Sequence, residues 1–121
     1  MFTNKDFDTL VTVLSHFSRV VATPNILTEV SNLTGLLDEP ARRQCFQSLK
    51  TTIGTLDERY VTSADASADG AFLHLGLTDA SICRLARAPL PVLTTDFDLW
   101  RHLIEQEIDA LNFNHIRMWG W

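Results

Sequence analysis

The sequence predicts an α/β fold with a small, mainly parallel central sheet flanked by helices. Two observations carry that expectation. Short β-branched runs at residues 19–22 and 92–95 read as buried strands, and each passes within a few residues into a helical apolar pattern. Strands and helices then alternate to the end of the chain with no internal repeat, as parallel βαβ units do. A length of 121 residues points to one domain, 1–121, just large enough to bury a core. The composition, 45% hydrophobic and 21% charged, excludes wholesale disorder. No apolar run approaches the roughly 18 residues that cross a bilayer, and the opening MFTNKDFD lacks a basic and then apolar leader pattern, so a cytoplasmic protein with no membrane partner is expected.

Asn4 is placed to cap a first helix over 5–17, whose apolar face is Phe7, Leu10, Val11, Leu14 and Phe17. After the strand at 19–22, Thr23 caps and Pro24 takes the first helical position of a second helix, with Ile26, Leu27, Val30, Leu33 and Leu36 or Leu37 at helical spacing. Asp38 and Pro40 repeat that signature for a third helix ending at Gly54, with Ala41, Cys45, Phe46, Leu49 and Ile53 on one side and Arg42, Arg43 and Lys50 on the other. Residues 55–70 are rich in acids, Ala and Ser, and read as a short helix in an exposed loop, the least constrained part of the chain.

Thr78 is expected to cap a fourth long helix with Asp79 at its first position, stopped by Pro89 and Pro91. The strand 92–95 follows, then a helix from Asp98 to about Glu107. A last strand over 108–113 leads to a helical turn at 114–117 and an aromatic tail, Trp119-Gly-Trp121.

The cysteines, Cys45 and Cys83, lack metal-ligand spacing and read as buried reduced thiols. A net charge of −5 excludes a broad basic field for nucleic acid, but it does not exclude a nuclease whose acids are reserved for a cation.

Asp79 at a helix start and Asp96 and Asp98 just past a strand end belong to the carboxyl edge of an open α/β sheet, the edge where such folds bind ligands. Singly, each acid reads as a helix cap. Together, and beside the hydroxyls of Thr94 and Thr95, they read as a cation site, because clustered carboxylates repel unless a cation lies among them. Glu29 reads either as a solvated surface acid or as a further carboxylate leaning over that edge.

In these residues the chain resembles the PIN-domain ribonucleases, which include the toxin nucleases of toxin-antitoxin pairs. The matching segments are Pro24-Asn-Ile-Leu-Thr-Glu29-Val, Gly76-Leu-Thr-Asp79-Ala-Ser-Ile82 and Val92-Leu-Thr-Thr-Asp96-Phe-Asp98-Leu99, with Leu111-Asn-Phe-Asn-His-Ile-Arg117 closing the sheet. The resemblance implies a three-layer PIN-like domain and an endoribonuclease cleaving single-stranded RNA with Mg2+ or Mn2+. In it Glu29, Asp79 and Asp96 are catalytic, these three with Asp98 bind metal, and Thr95 supports Asp96. It also implies an RNA substrate, an antitoxin or other protein partner, and a homodimer as a compatible assembly. The family opens on a strand ending in Asp, which this sequence lacks, so it reads as an N-terminally shortened or degenerate copy.

Arg84, Arg87 and Arg101 are candidate contacts for RNA phosphates, with surface salt bridges as the alternative. A catalytically inactive PIN-like binding or regulatory module is the competing function. A phospho-accepting receiver-like domain needs a Lys after a late strand, and the only lysines are Lys5 and Lys50. His102 and Glu105, three apart on one helix, form a weak zinc pattern with no second pair to complete it.

Overall fold

The computed structural model describes residues 3–87 and 90–120. In chain order it contains α1 (Asn4–Leu14), β1 (Val21–Ala22), α2 (Pro24–Thr34), α3 (Ala41–Ile53), β2 (Asp57–Glu58), α4 (Ser63–Ser67), α5 (Phe72–Leu75), α6 (Leu77–Ala86), β3 (Val92–Thr94), α7 (Phe97–Glu105), β4 (Ala110–Asn112) and α8 (Phe113–Trp119). The fold is mixed α/β. In place of one central sheet, the described strands form two separate parallel pairs, β1 with β2 and β3 with β4. The stop expected at Pro89 and the tail end at Trp121 lie outside the described residues. The chain divides into two compact units, Arg19–Tyr60 and the remainder.

In the Arg19–Tyr60 unit, Val21 stands opposite Asp57 and Ala22 opposite Glu58. The acid-rich stretch expected as loop therefore contains a strand. Arg19 and Arg59 each reach the Asp57 carboxylate at 3.1 Å, and the backbone pairs through Asp57 N–H to Val20 C=O and Arg59 N–H to Ala22 C=O. The α2 start is as expected, with the Thr23 hydroxyl accepting from Ile26 N–H at 3.2 Å. The α3 start is not. Pro40 occupies the cap position without a side-chain bond, and the neighbouring Glu39 carboxylate accepts from Arg43 N–H at 2.8 Å. No residue of α2 or α3 is buried, so Cys45, expected inside, is exposed, and Leu33 and Leu36 are 67% and 81% exposed.

In the other unit, β3 and β4 pair in register, Val92 with Ala110, Leu93 with Leu111 and Thr94 with Asn112. Side chains alternate across a strand, and both faces of this pair are used. Val92 and Ala110 join a core of Ala71, Cys83, Leu99 and Leu103, whereas Leu93 and Leu111 pack against Val13, Phe113 and Ile116. A two-stranded sheet is marginal alone, so the helices on its two faces supply the burial that holds it.

Packing against α8 selects a different face of α1 from the one the periodicity suggests. Val13 is buried, while Phe7 and Val11 are exposed. Asp6, Leu10 and Val13 form the inner line, and Arg117 of α8 reaches the Asp6 carboxylate at 3.5 Å. The cap is Thr3 rather than Asn4: its hydroxyl accepts from Asp6 N–H while Asp6 accepts from Thr3 N–H at 2.8 Å. That backbone bond, aided by Arg117, holds the Asp6 carboxyl below its ordinary pKa.

The cap of α6 is Gly76, not Thr78: Gly76 adopts φ 87°, ψ −177° and its carbonyl accepts from Ala80 N–H. Helix α7 stops at Glu105, before the expected Glu107. Glu107 takes a left-handed φ of 57°, and Glu107 N–H and Ile108 N–H close back on the Ile104 and Leu103 carbonyls. Residues 63–70 are constrained, contrary to expectation: Ala66 and Asp69 are buried. Asp69 accepts from Ala71 N–H at 2.9 Å and from Arg87 at 3.0 Å, tying the turn before α5 to the end of α6.

Gly76→Ala should destabilise the fold by about 1–3 kcal/mol through backbone strain alone, since a Cβ there meets nothing, and urea unfolding measures it. Arg87→Ala strips the buried Asp69 carboxylate of its cation and should cost about 1–3 kcal/mol, with Arg87→Lys recovering part of the loss in the same assay.

Candidate functional site

Because β3 and β4 run parallel and in register, both end at one edge, and each enters a helix through a side-chain cap. Asp96 Oδ1 accepts from Leu99 N–H at 3.1 Å to open α7, and Asn112 Oδ1 accepts from Asn114 N–H at 2.9 Å to open α8. The two turns are joined: Asn114 Nδ2 donates to the Thr95 carbonyl at 3.3 Å, and Arg117 Nε donates to Asn114 Oδ1 at 2.9 Å. Thr94 Oγ1 accepts from Asp96 N–H at 3.0 Å, so this hydroxyl, not that of Thr95, fixes the Asp96 backbone. Thr95, Asp96 and Asp98 are exposed along this edge. Asp98 lies in the first turn of α7, where the helix dipole favours a negative charge.

The other predicted acids are placed differently. Asp79 is half-buried at the third position of α6, and Cys83, one turn on, packs in the same core as Leu99 of α7. Glu29 is exposed on α2, within the Arg19–Tyr60 unit. The structure thus brings Thr95, Asp96 and Asp98 onto one turn and places Asp79 on a helix that shares a core with α7. Carboxylates are the donors hard cations take, but among the described residues no three His, Cys, Asp or Glu are grouped to hold a metal ion.

Two of the three candidate arginines have acidic partners in their own unit. Arg87 pairs with Asp69, and Arg101 Nε pairs with Glu105, one turn along α7, at 3.0 Å. Arg84 is exposed in the last turn of α6. Glu105 therefore serves Arg101, while the His102 ring meets His74 edge-on at 5.3 Å, an arrangement unlike the zinc pair considered from spacing.

One feature went unread in the sequence: a continuous run of rings beside the acidic edge. Phe97 meets Trp100 at 5.7 Å between centroids, Trp100 meets His115 at 4.9 Å, and His115 meets Trp119 at 5.2 Å. The signal was present as a three-residue step in α7 and a four-residue step in α8, both of which align side chains on one helix face. Nothing local indicates that the two helices share the run. At the opposite, amino edge of the strand pair is an open groove of about 570 Å³, lined by Ala86, Arg87, Leu90, Pro91, Glu107, Ile108 and Asp109.

Compared with known proteins, the chain matches no family model, no curated sequence and no solved structure. No helix among the described residues is long and apolar enough to cross a membrane.

Burial, followed by the charges of Asp69 and Asp79, pushes the Cys83 thiol up to about 11, whereas Cys45 is exposed. The native state therefore favours neutral Cys83. This contribution to stability is complete below the unfolded value near 9 and is lost as pH rises through about 11. Iodoacetamide at pH 8 should label Cys45 alone in the native protein and both thiols in urea, read by intact mass.

Proposed function

We propose that this chain is a PIN-like domain that acts on single-stranded RNA at the carboxyl edge of β3 and β4, as an endoribonuclease dependent on Mg2+ or Mn2+. What supports the reading most is the in-register parallel pair, which delivers Asp96 and Asp98 to one exposed turn braced by Asn114. The helices on both faces of that pair fit a three-layer arrangement. Asp96, Asp79 and Glu29 are the proposed catalytic carboxylates, with Asp98 as a further cation ligand. Thr95 borders the site through its carbonyl bond to Asn114. Of the three candidate arginines, Arg84 is the one left for a phosphate, because Arg87 and Arg101 already face Asp69 and Glu105. An antitoxin-like protein partner and a homodimer belong to the same reading.

A second reading, a catalytically silent binding module of the same fold, is favoured by those two engaged arginines. One set of variants separates the two readings. Asp96→Asn keeps an N-cap side chain and removes the charge, so it should abolish Mn2+-dependent cleavage of single-stranded RNA with the melting temperature unchanged, and Asp79→Asn should likewise abolish cleavage. Asp96→Ala should in addition lose about 0.5–2 kcal/mol of stability with the cap. Cleavage unchanged in both Asn variants eliminates the nuclease. RNA binding by the wild-type protein without cleavage leaves the binding module.

A further inference from the structure

We infer that Arg117 is a positioning residue for the acidic edge and that Asp6 sets it in place, so that the start of α1 governs how Asp96 and Asp98 are held. The inference rests on the reading of that edge as the catalytic site. A continuous chain of contacts carries it. The Thr3 N–H and hydroxyl both donate to Asp6 Oδ2, at 2.8 and 3.1 Å, and Arg117 Nη1 stands 3.5 Å from the same oxygen. Arg117 Nε donates to Asn114 Oδ1 at 2.9 Å, and Asn114 Nδ2 donates to the Thr95 carbonyl at 3.3 Å, directly before Asp96. All of these residues belong to one compact unit.

The chemistry of each link gives the chain a direction. The two ends of an Asn amide are nearly alike in shape, and turned over, Asn114 would set its oxygen against the Thr95 carbonyl, acceptor to acceptor. A guanidinium has donors alone, so Arg117 bonds the Asn114 oxygen and leaves Nδ2 to face Thr95. Arg117 is itself held. Its side chain is 22% exposed and that of Asp6 13%, so water and salt weaken this pair less than they weaken Arg101 and Glu105, at 67% and 58%. The turn needs this brace, because its other side-chain hydrogen bonds are local, from Asp96 N–H to Thr94 and from Leu99 N–H to Asp96, and they shape it without fixing it against α8. Groups that act together at a site must be held to within about 0.5 Å. Loss of Arg117 therefore leaves Asp96 and Asp98 present and charged but loosely aimed.

The test reads the turn directly, by amide NMR of the full chain, alongside Mn2+-dependent cleavage of single-stranded RNA. Arg117→Gln and Asp6→Asn should each shift the Asn114 side-chain amide and the backbone amides of Asp96 and Leu99, and should lower kcat about 10- to 100-fold with KM nearly unchanged. Arg117→Lys keeps a charge for Asp6 but lacks the planar fork, so the Thr3 and Asp6 amides should stay in place while those of Asn114 and Asp96 still move. Asn114→Ala leaves the Asp6–Arg117 pair intact and should reproduce both the turn shifts and the loss of kcat, which keeps the test decisive should Arg117→Gln fail to fold. Turn amides and kcat at wild-type values in Asn114→Ala and in the folded Arg117 variants, with only the melting temperature lowered, overturn the proposal and leave the nuclease standing. Turn amides that move in this pattern, in a protein whose wild type cleaves no RNA, keep the positioning role of Arg117 and remove the nuclease.

Discussion

The parallel register of β3 and β4 is the constraint from which most of the larger unit follows. Setting Thr94 opposite Asn112 puts both strand ends at one edge, so the turns that carry Asp96 and Asn112 become neighbours and Asn114 can bond across to Thr95. It also aligns Val92 with Ala110 and Leu93 with Leu111, giving each face of the pair a matched apolar surface. A slip of one residue would exchange those faces and separate the two caps. With only three residues in each strand, the ladder itself contributes few bonds, and the helices packed on both faces keep the register.

Three of the chain's fifteen acids hold separate segments together. Asp57 organises Arg19 and Arg59 around the β1–β2 pair, Asp6 links the start of α1 to Arg117 of α8, and Asp69 anchors Arg87 from a buried position. The net charge of −5 is thus a poor guide to the field at any one place. Arg87 illustrates the consequence: as an isolated surface cation it suits a phosphate, but its partner Asp69 has only 1% of its side chain exposed, and a buried carboxylate without its cation is costly. The exposed carboxylates that remain at the β3–β4 edge, Asp96 and Asp98, stand out against this background.

Legibility tracked how local each signal is. Thr23 with Pro24, and the strand that begins at Val92, follow from nearest-neighbour chemistry and stand where the pattern put them. The caps at Thr3, Pro40 and Gly76 stand one or two residues before or after the expected Asn4, Asp38 and Thr78, because the backbone conformation entering the first turn, and not one side chain, decides where a helix begins. Strand β2 escaped notice because its acid-rich residues have low strand propensity and depend on arginines that flank it in space.

By itself the sequence determined the mixed α/β class, the start of α2 at Thr23 and Pro24, and the acids that follow the strand at Val92, since these depend on residue type and spacing over a few positions. Tertiary structure decided the rest. It split the strands into two pairs, turned α1 to bury Val13 rather than Phe7, left Cys45 outside, gave Arg87 to Asp69, and joined the rings of α7 and α8 into one run. Each of these outcomes depends on groups many residues apart coming within a few ångströms, and a local pattern leaves that distance undetermined.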